Sequence, residues 1–399
     1  LSLVAKNESE KHVSNSVGRC SIRLVDDLLT QAISVRASDI HLEPLGTAAR
    51  IRVRVDGKLK SFGTIAQGQY LSWLSRLKII AGMDIAEKRL PQDGRLEMSE
   101  LAVDLRISTL PTIFGEKVAI RILNKNQLFL SLDQLELTKN NFQLYESLYR
   151  SPNGMVLFTG PTGSGKTSSL YATLNELNKD NVNIVTIEEP VEYKLIGINQ
   201  VAVNNKAGLT FAKGLRSIVR QDPNVIMVGE IRDEETASIA LQAALTGHLL
   251  FSTLHTNTAI GAVARLLDMG IPKYLLSAAL RGVVGQRLVR RICPKCVQEY
   301  DASDAEKELL DMTDCDSVVL KRGTGCSHCN YTGYYGRIAL HEVLCVDNAF
   351  SQLINLGASE GELEQSAKSV GFQSIRVDGI TKAIGGYTTV QELLQEGII

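Results

Sequence analysis

Aromatic residues make up only 5% of the chain, with a single tryptophan, and the formal net charge is −1 at neutral pH. Proteins that hold single-stranded nucleic acid use a basic groove set with aromatic platforms. This composition argues against such a ligand and leaves only local patches to recognise polyanions. Long apolar runs are missing as well. Nothing reaches the roughly 18 residues that span a bilayer, and stretches such as VIMVG and HLLFSTL suit buried strands. No basic-then-apolar leader opens the chain, and a start at Leu1 rather than Met reads as an N-terminal truncation. A disulfide framework is not expected either. Four of the seven cysteines fall in two C-x-x-C pairs, which suits a reducing, cytosolic compartment.

The 399 residues, 44% hydrophobic and 22% charged, suffice for two or three globular domains of α/β class. Residues 1–20 are polar and read as a linker or tail. From Ile22, IRLVDDLLTQAISV places apolar residues at i, i+3, i+4 and i+7 and predicts an amphipathic helix. SDIHLEP reads as a short strand. RIRVRVDGKL alternates Ile51, Val53 and Val55 with Arg50, Arg52 and Arg54 and turns at Asp56-Gly57, which predicts a half-buried hairpin with a basic outer face. A second helix, LSWLSRLKIIAG, and two more β-like runs, AVDLRISTLP and EKVAIRIL, complete a mixed α/β domain with an antiparallel sheet over 21–130. NKNQLFLSLDQLEL reads as the link to a second domain. Over 131–290 the runs GMVLFTG, NIVTIEEP, NVIMVGE and HLLFSTLH alternate with helical patterns, as in a mostly parallel sheet with helices on both faces. A cysteine-bearing segment at 291–330 and a polar, largely helical region at 331–399 complete the chain.

GPTGSGKT, from Gly160 to Thr167, matches the phosphate-binding loop G-x-x-x-x-G-K-[ST] between an apolar strand and a helical run. Its glycines let backbone N–H groups face phosphates, and the following helix adds its positive end. Gly160, Pro161, Thr162, Gly163, Ser164, Gly165, Lys166, Thr167 and Ser168 are therefore expected to hold ATP, with Lys166 on the β- and γ-phosphates and Thr167 on Mg²⁺. Hydrolysis also requires acids. Glu188 and Glu189 end one apolar run, and Glu230 ends the next, where many P-loop enzymes carry an Asp that supports magnesium. Spacing does not decide which glutamate polarises water; Glu188 is favoured, and solvated strand-end charge is the plain alternative.

Cys293 and Cys296, with Cys326 and Cys329, form two knuckles that together complete a tetrahedral Zn²⁺ site. The 29 residues between the pairs, 297 through 325, exceed the spacing of about 15–20 in common zinc ribbons, so a small helical insert is expected. A closed four-cysteine site is structural. A redox pair and uncoordinated core cysteines are the competing readings. Cys20, Cys315 and Cys345 read as ordinary thiols, and His328 is not needed as a ligand.

The phosphate loop, TIEEPVEY at 186–193, RQDPNVIMVGEIRDEETA at 220–237 and TGHLLFSTLHTN at 246–257 resemble the nucleotide-site boxes of the secretion ATPases that drive type II secretion and type IV pilus assembly. SDIHLEP, RVRVDG and DIAEKRLPQDGR resemble signatures of that family's preceding, PAS-like domain. Glu189 departs from the family, where many members have Asp before the proline. The resemblance implies a RecA-like ATPase that works as a homo-hexamer at the cytoplasmic face of the bacterial inner membrane, bound there through platform proteins and not through nucleic acid. It also implies that a further N-terminal domain is missing here. Arg106 and Arg121 match family arginines that reach the terminal phosphates; without it they would read as solvent-facing sheet residues. His255 would lie near the γ-phosphate as a sensor of hydrolysis. His248 is either similar or a satisfied core histidine, and Arg216, Arg220 and Arg232 would make contacts between subunits. By the same resemblance, the tetracysteine element marks secretion and assembly ATPases and is absent from retraction ATPases.

Overall fold

The computed structural model of the chain describes residues 21–124, 131–313 and 317–399. The expected tail at 1–20 with Cys20, part of the expected link at 125–130, and Cys315 lie outside them. The chain divides into two compact units, residues 1–128 and 129–399.

In the first unit, helix α1 (Ser21–Ser34) precedes strands β1 (Ala37–Pro44), β2 (Ala48–Val55) and β3 (Lys58–Ala66), then helix α2 (Gln67–Ile80) and strands β4 (Gln92–Met98), β5 (Val103–Thr112) and β6 (Gly115–Asn124). They form one six-stranded sheet in the order β3-β2-β1-β6-β5-β4, with every pairing antiparallel. The β2–β3 turn puts Asp56 at φ 49° and Gly57 at φ 85°, the left-handed pair that a type I′ hairpin requires. Alternation sends Ile40, Leu42, Ile51 and Val53 into a core with Leu29, Tyr70, Trp73 and Leu77.

The opposite face departs from the basic surface expected of the hairpin. Glu43 on β1 pairs with Arg50 at 2.9 Å, Arg52 at 2.6 Å and Lys117 at 3.5 Å, and Asp39 pairs with Arg121 at 3.3 Å and Arg54 at 3.7 Å. Burial works to raise the Glu43 pKa, but hydrogen bonds from Arg52 and Arg50 and the charges of Arg52 and Lys117 hold it at about 2. A one-strand pattern shows only the arginines; the acids that neutralise them stand on the neighbouring strand.

The second unit is built on a seven-stranded sheet in the order β15-β12-β7-β11-β10-β8-β9. Helix α3 (Lys139–Tyr149) leads into β7 (Gly154–Thr159), α4 (Lys166–Leu177), β8 (Ile184–Glu188), β9 (Asn199–Ala202), α5 (Phe211–Ile218), β10 (Val225–Val228), α6 (Glu234–Leu245) and β11 (Leu249–Leu254). Then come α7 (Ala259–Asp268), α8 (Lys273–Ala279) and β12 (Leu280–Ile292). All these strands pair in parallel, and β7, β8, β10 and β11 are largely apolar runs buried on both faces. The cysteine-bearing segment carries the two-stranded ribbon β13 (Val297–Asp301) and β14 (Val319–Gly323), with the short helix α9 (Asp304–Leu309) between them.

The last region is not purely helical. Strand β15 (Tyr334–Cys345) runs antiparallel along β12 and closes the sheet before helices α10 (Asn348–Leu356), α11 (Glu360–Ser369), α12 (Ile375–Ile384) and α13 (Val390–Gln395). The adjacent polar residues His341 and Glu342, both buried, break the apolar alternation that would have betrayed this strand. Its free edge is covered by side chains. The His341 N–H donates to Asp378 Oδ2 at 2.9 Å, Asn141 Nδ2 donates to the His341 carbonyl at 3.0 Å, and Lys382 Nζ donates to the Ala339 carbonyl at 2.6 Å. Among the described residues, no helix is long and apolar enough to cross a membrane.

Candidate functional site

Strand β7 ends in the loop Gly160–Gly165, and α4 begins at Lys166. Gly160, Gly163 and Gly165 have φ of 142°, 80° and 88°, values that side chains resist. A second constraint comes from behind the loop, where β12 crosses it. A Cβ on Gly160 would lie 2.2 Å from the Gln286 carbonyl oxygen, and one on Gly165 would lie 2.9 Å from Gln286 Nε2. Gln286 is itself fixed, its Oε1 accepting from Ser169 Oγ on α4 at 2.8 Å. Pro161, Thr162 and Thr167 are exposed and Ser168 is half-buried, while Ser164 is buried with an unpartnered hydroxyl. Lys166 Nζ donates to the carbonyls of Gly160 at 2.7 Å and Pro161 at 3.0 Å. Burial lowers its pKa to about 8, against the pull of Glu230. A cradle of left-handed glycines with an ammonium folded over it fits a polyphosphate.

The carboxyl ends of β7, β11, β10 and β8 lie side by side, so the four sequence boxes meet along one sheet edge. Glu230 stands two residues past β10, and His255 one residue past β11, with 3.7 Å between His255 Nε2 and Glu230 Oε2. Hydroxyl bonds set that spacing: Ser252 Oγ donates to the Val228 carbonyl and Thr253 Oγ1 to the Gly229 carbonyl, each at 2.8 Å. Thr159 joins the phosphate loop's strand to the histidine loop, accepting from the Thr256 N–H at 3.0 Å. Arg232 bridges two acids, donating to Glu230 at 2.6 Å and Glu189 at 3.2 Å.

Glu188 is placed differently from the role favoured for it. It is 3% exposed. Its carboxylate accepts from the Tyr171 hydroxyl, from Thr186 Oγ1 at 2.6 Å and from Gln200 Nε2 at 3.1 Å. That carboxylate braces β8 from within. His248 sits before β11, at the end of the strand opposite His255, with its Nδ1 2.8 Å from the Ala243 carbonyl oxygen. It is the satisfied histidine of the two readings. Arg216 pairs within the chain with Glu235 at 2.7 Å, and Arg232 with the acids above; Arg220 is exposed.

Arg106 and Arg121 belong to the first unit, directly opposite each other on β5 and β6. The same row continues to Arg95 on β4 and to Asp39 on β1. Gln286, Thr159 and Thr256 escaped the sequence reading. Their partners lie about a hundred residues away, as Ser169 does from Gln286, so no local pattern announces them.

The thiol sulfurs of Cys293, Cys296, Cys326 and Cys329 all lie within 4.8 Å of one another. The pairs Cys293–Cys326 and Cys296–Cys329 are each 3.9 Å apart, and Cys326–Cys329 is 3.8 Å apart. Four sulfurs at about 2.3 Å from a tetrahedral zinc are separated by about 3.8 Å, so the cluster fits that ion. Burial works to raise the Cys329 pKa, but backbone N–H groups of Cys326 and Gly333 bring it to about 6, towards the thiolate a metal takes. His328 stacks instead on Tyr335, their ring centroids 4.1 Å apart.

Known proteins resemble the chain over most of its length. The family model described as type II/IV secretion system protein matches residues 17–395. The chain is 48% identical over 378 residues to the type II secretion system ATPase E of Vibrio cholerae serotype O1, covering 94% of this chain and 75% of that protein. It is likewise 48% identical over 376 residues, with the same coverage, to the type II secretion system protein E of Pseudomonas aeruginosa. Among solved structures it is similar to the pilus retraction motor PilT with bound ADP, at 26% identity and a TM-score of 0.62, over 92% of this chain and 95% of that one. The fold is shared with the Legionella pneumophila ATPase DotB at 21% identity and a TM-score of 0.70, over 96% of this chain and 98% of that one.

Proposed function

The chain belongs to the type II/IV secretion system protein family, and on that premise we propose that it hydrolyses ATP to drive type II secretion. One observation carries the reading: the phosphate loop, Glu230 and His255 meet at one edge of a RecA-like sheet. The loop N–H groups and Lys166 bind the β- and γ-phosphates, and Thr167 would hold Mg²⁺, with Glu230 supporting the ion's water shell. When bound, that ion neutralises charge developing on the phosphoryl oxygens. Water oxygen bonds to the terminal phosphorus as the bond to the ADP oxygen breaks, and the water proton passes to a carboxylate. Glu230 takes this role better than Glu188, whose oxygens are already engaged by three donors. His255, beside Glu230, responds to the change at the terminal phosphate. Zinc on the four cysteines is structural.

The motor works as an oligomer, most simply a homo-hexamer, at the cytoplasmic face of the inner membrane. There it moves platform proteins and so assembles pseudopilus subunits. Likeness to a pilus motor keeps type IV pilus assembly as the second reading. Steady-state hydrolysis of ATP by the wild type and by Lys166→Ala, with and without single-stranded DNA, tests the proposal. Turnover that is lost in the variant and indifferent to DNA supports it. Stimulation by DNA would point to a nucleic-acid translocase, and turnover surviving in Lys166→Ala would remove the site from the reaction.

A further inference from the structure

We propose that Glu342 is a positioning residue that ties the loop bearing His255 to the N-terminus of α12. The side chain is 2% exposed, in the interior of the second unit. Its two oxygens serve two helices: one accepts from the Ala259 N–H, the first residue of α7, at 2.5 Å, and the other from the Ile375 N–H, the first residue of α12, at 3.0 Å. Both helix starts need it. Thr258 caps α7 through the Gly261 N–H at 3.0 Å and leaves Ala259 to Glu342, while Ser374 makes no side-chain cap for α12. Room for the carboxylate comes from Gly285 on β12, where a Cβ would lie 2.5 Å from Glu342 Cγ. Burial pushes the Glu342 pKa up, and the two backbone N–H groups at the helix starts oppose that rise.

The segment between β11 and α7, residues 255–258, is thereby fixed at both ends. Thr159 holds Thr256 in front, and Glu342 holds Ala259 behind. His255 lies on this segment, facing Glu230. A displacement of α12 therefore reaches His255 through one carboxylate, and a change at His255 returns to α12 by the same route. The inference rests on the proposed roles of His255 and Glu230 in hydrolysis.

Glu342→Gln tests it in the full chain. A carboxamide has one oxygen, so its NH₂ must face one of the two N–H groups, and one tether is lost at nearly constant volume. The expected result is a fall in kcat of about tenfold with KM for ATP nearly unchanged, together with a shift of the His255 imidazole resonances in ¹H–¹⁵N spectra. Assignment comes from their loss in His255→Gln, and those of His248 should stay in place. Leu393→Ala, a core truncation on α13, controls for simple destabilisation and should move neither quantity. Wild-type kcat in Glu342→Gln, or unmoved His255 resonances, overturns the proposal. If Glu342→Gln does not fold, Glu342→Asp, which keeps the charge but is one methylene shorter, is read in the same way. A wild type that hydrolyses no ATP would defeat the functional reading alone, and the resonances would still decide this one.

Discussion

Lys166 is buried at the head of α4, and its pKa of about 8 makes nucleotide binding sensitive to pH. Phosphate oxygens favour the charged ammonium, so binding near pH 8 should draw in about half a proton. Affinity should then weaken as pH rises further. Calorimetry in buffers of different ionisation enthalpy reads that uptake, which Lys166→Arg, charged throughout, should abolish. The linkage to stability has its own sign. Because the folded pKa lies below the usual 10.5, the unfolded chain holds this proton between about 8 and 10.5, and this group's contribution to stability rises with pH across that window. Glu230 gives a second test at this scale. Glu230→Gln should bind ATP and hydrolyse it about 10² times more slowly, as measured by nucleotide binding beside turnover; near-normal turnover would return the role to Glu188 or Glu189.

At the scale of elements, two attachments carry the C-terminal third. The cysteine cluster joins the knuckle after β12 to the turn before β15. Metal analysis should find about one zinc per chain, and Cys326→Ser should lose it and lower the thermal midpoint; fresh protein without zinc would reject the site. The second attachment is α12 on the sheet edge. Asp378 is 1% exposed and accepts from both the His341 N–H and Lys382 Nζ, the latter at 2.8 Å. Asp378→Ala strands the Lys382 charge in the interior and should cost about 3–5 kcal/mol in urea unfolding. His341 is buried beside this pair, and desolvation, then the Lys382 charge, holds its pKa well below the usual value. It stays neutral, so it adds no second positive charge beside Lys382, and being no anion it cannot replace the lost carboxylate.

For the whole molecule, the proposed oligomeric motor predicts an ATPase rate per chain that rises with protein concentration, followed by turnover beside sedimentation. A rate flat across the assembly range would mean that each chain works alone. Much of the design was legible in one dimension. Strand–loop–helix context identified the phosphate loop, period-two alternation identified the β2–β3 hairpin, and paired C-x-x-C knuckles identified the cysteine cluster, because each depends on residues a few positions apart. Tertiary structure alone separated the two glutamates, since Glu188 and Glu230 look alike until Tyr171 and Gln200 close on the first and Arg232 and His255 approach the second. It also decided that the arginines of the hairpin are neutralised and that Gln286 backs the phosphate loop. The strand at Tyr334–Cys345 and the double tether of Glu342 emerged only there too. A carboxylate's role is set by which donors reach it, and those donors arrive from distant parts of the chain that only folding brings together.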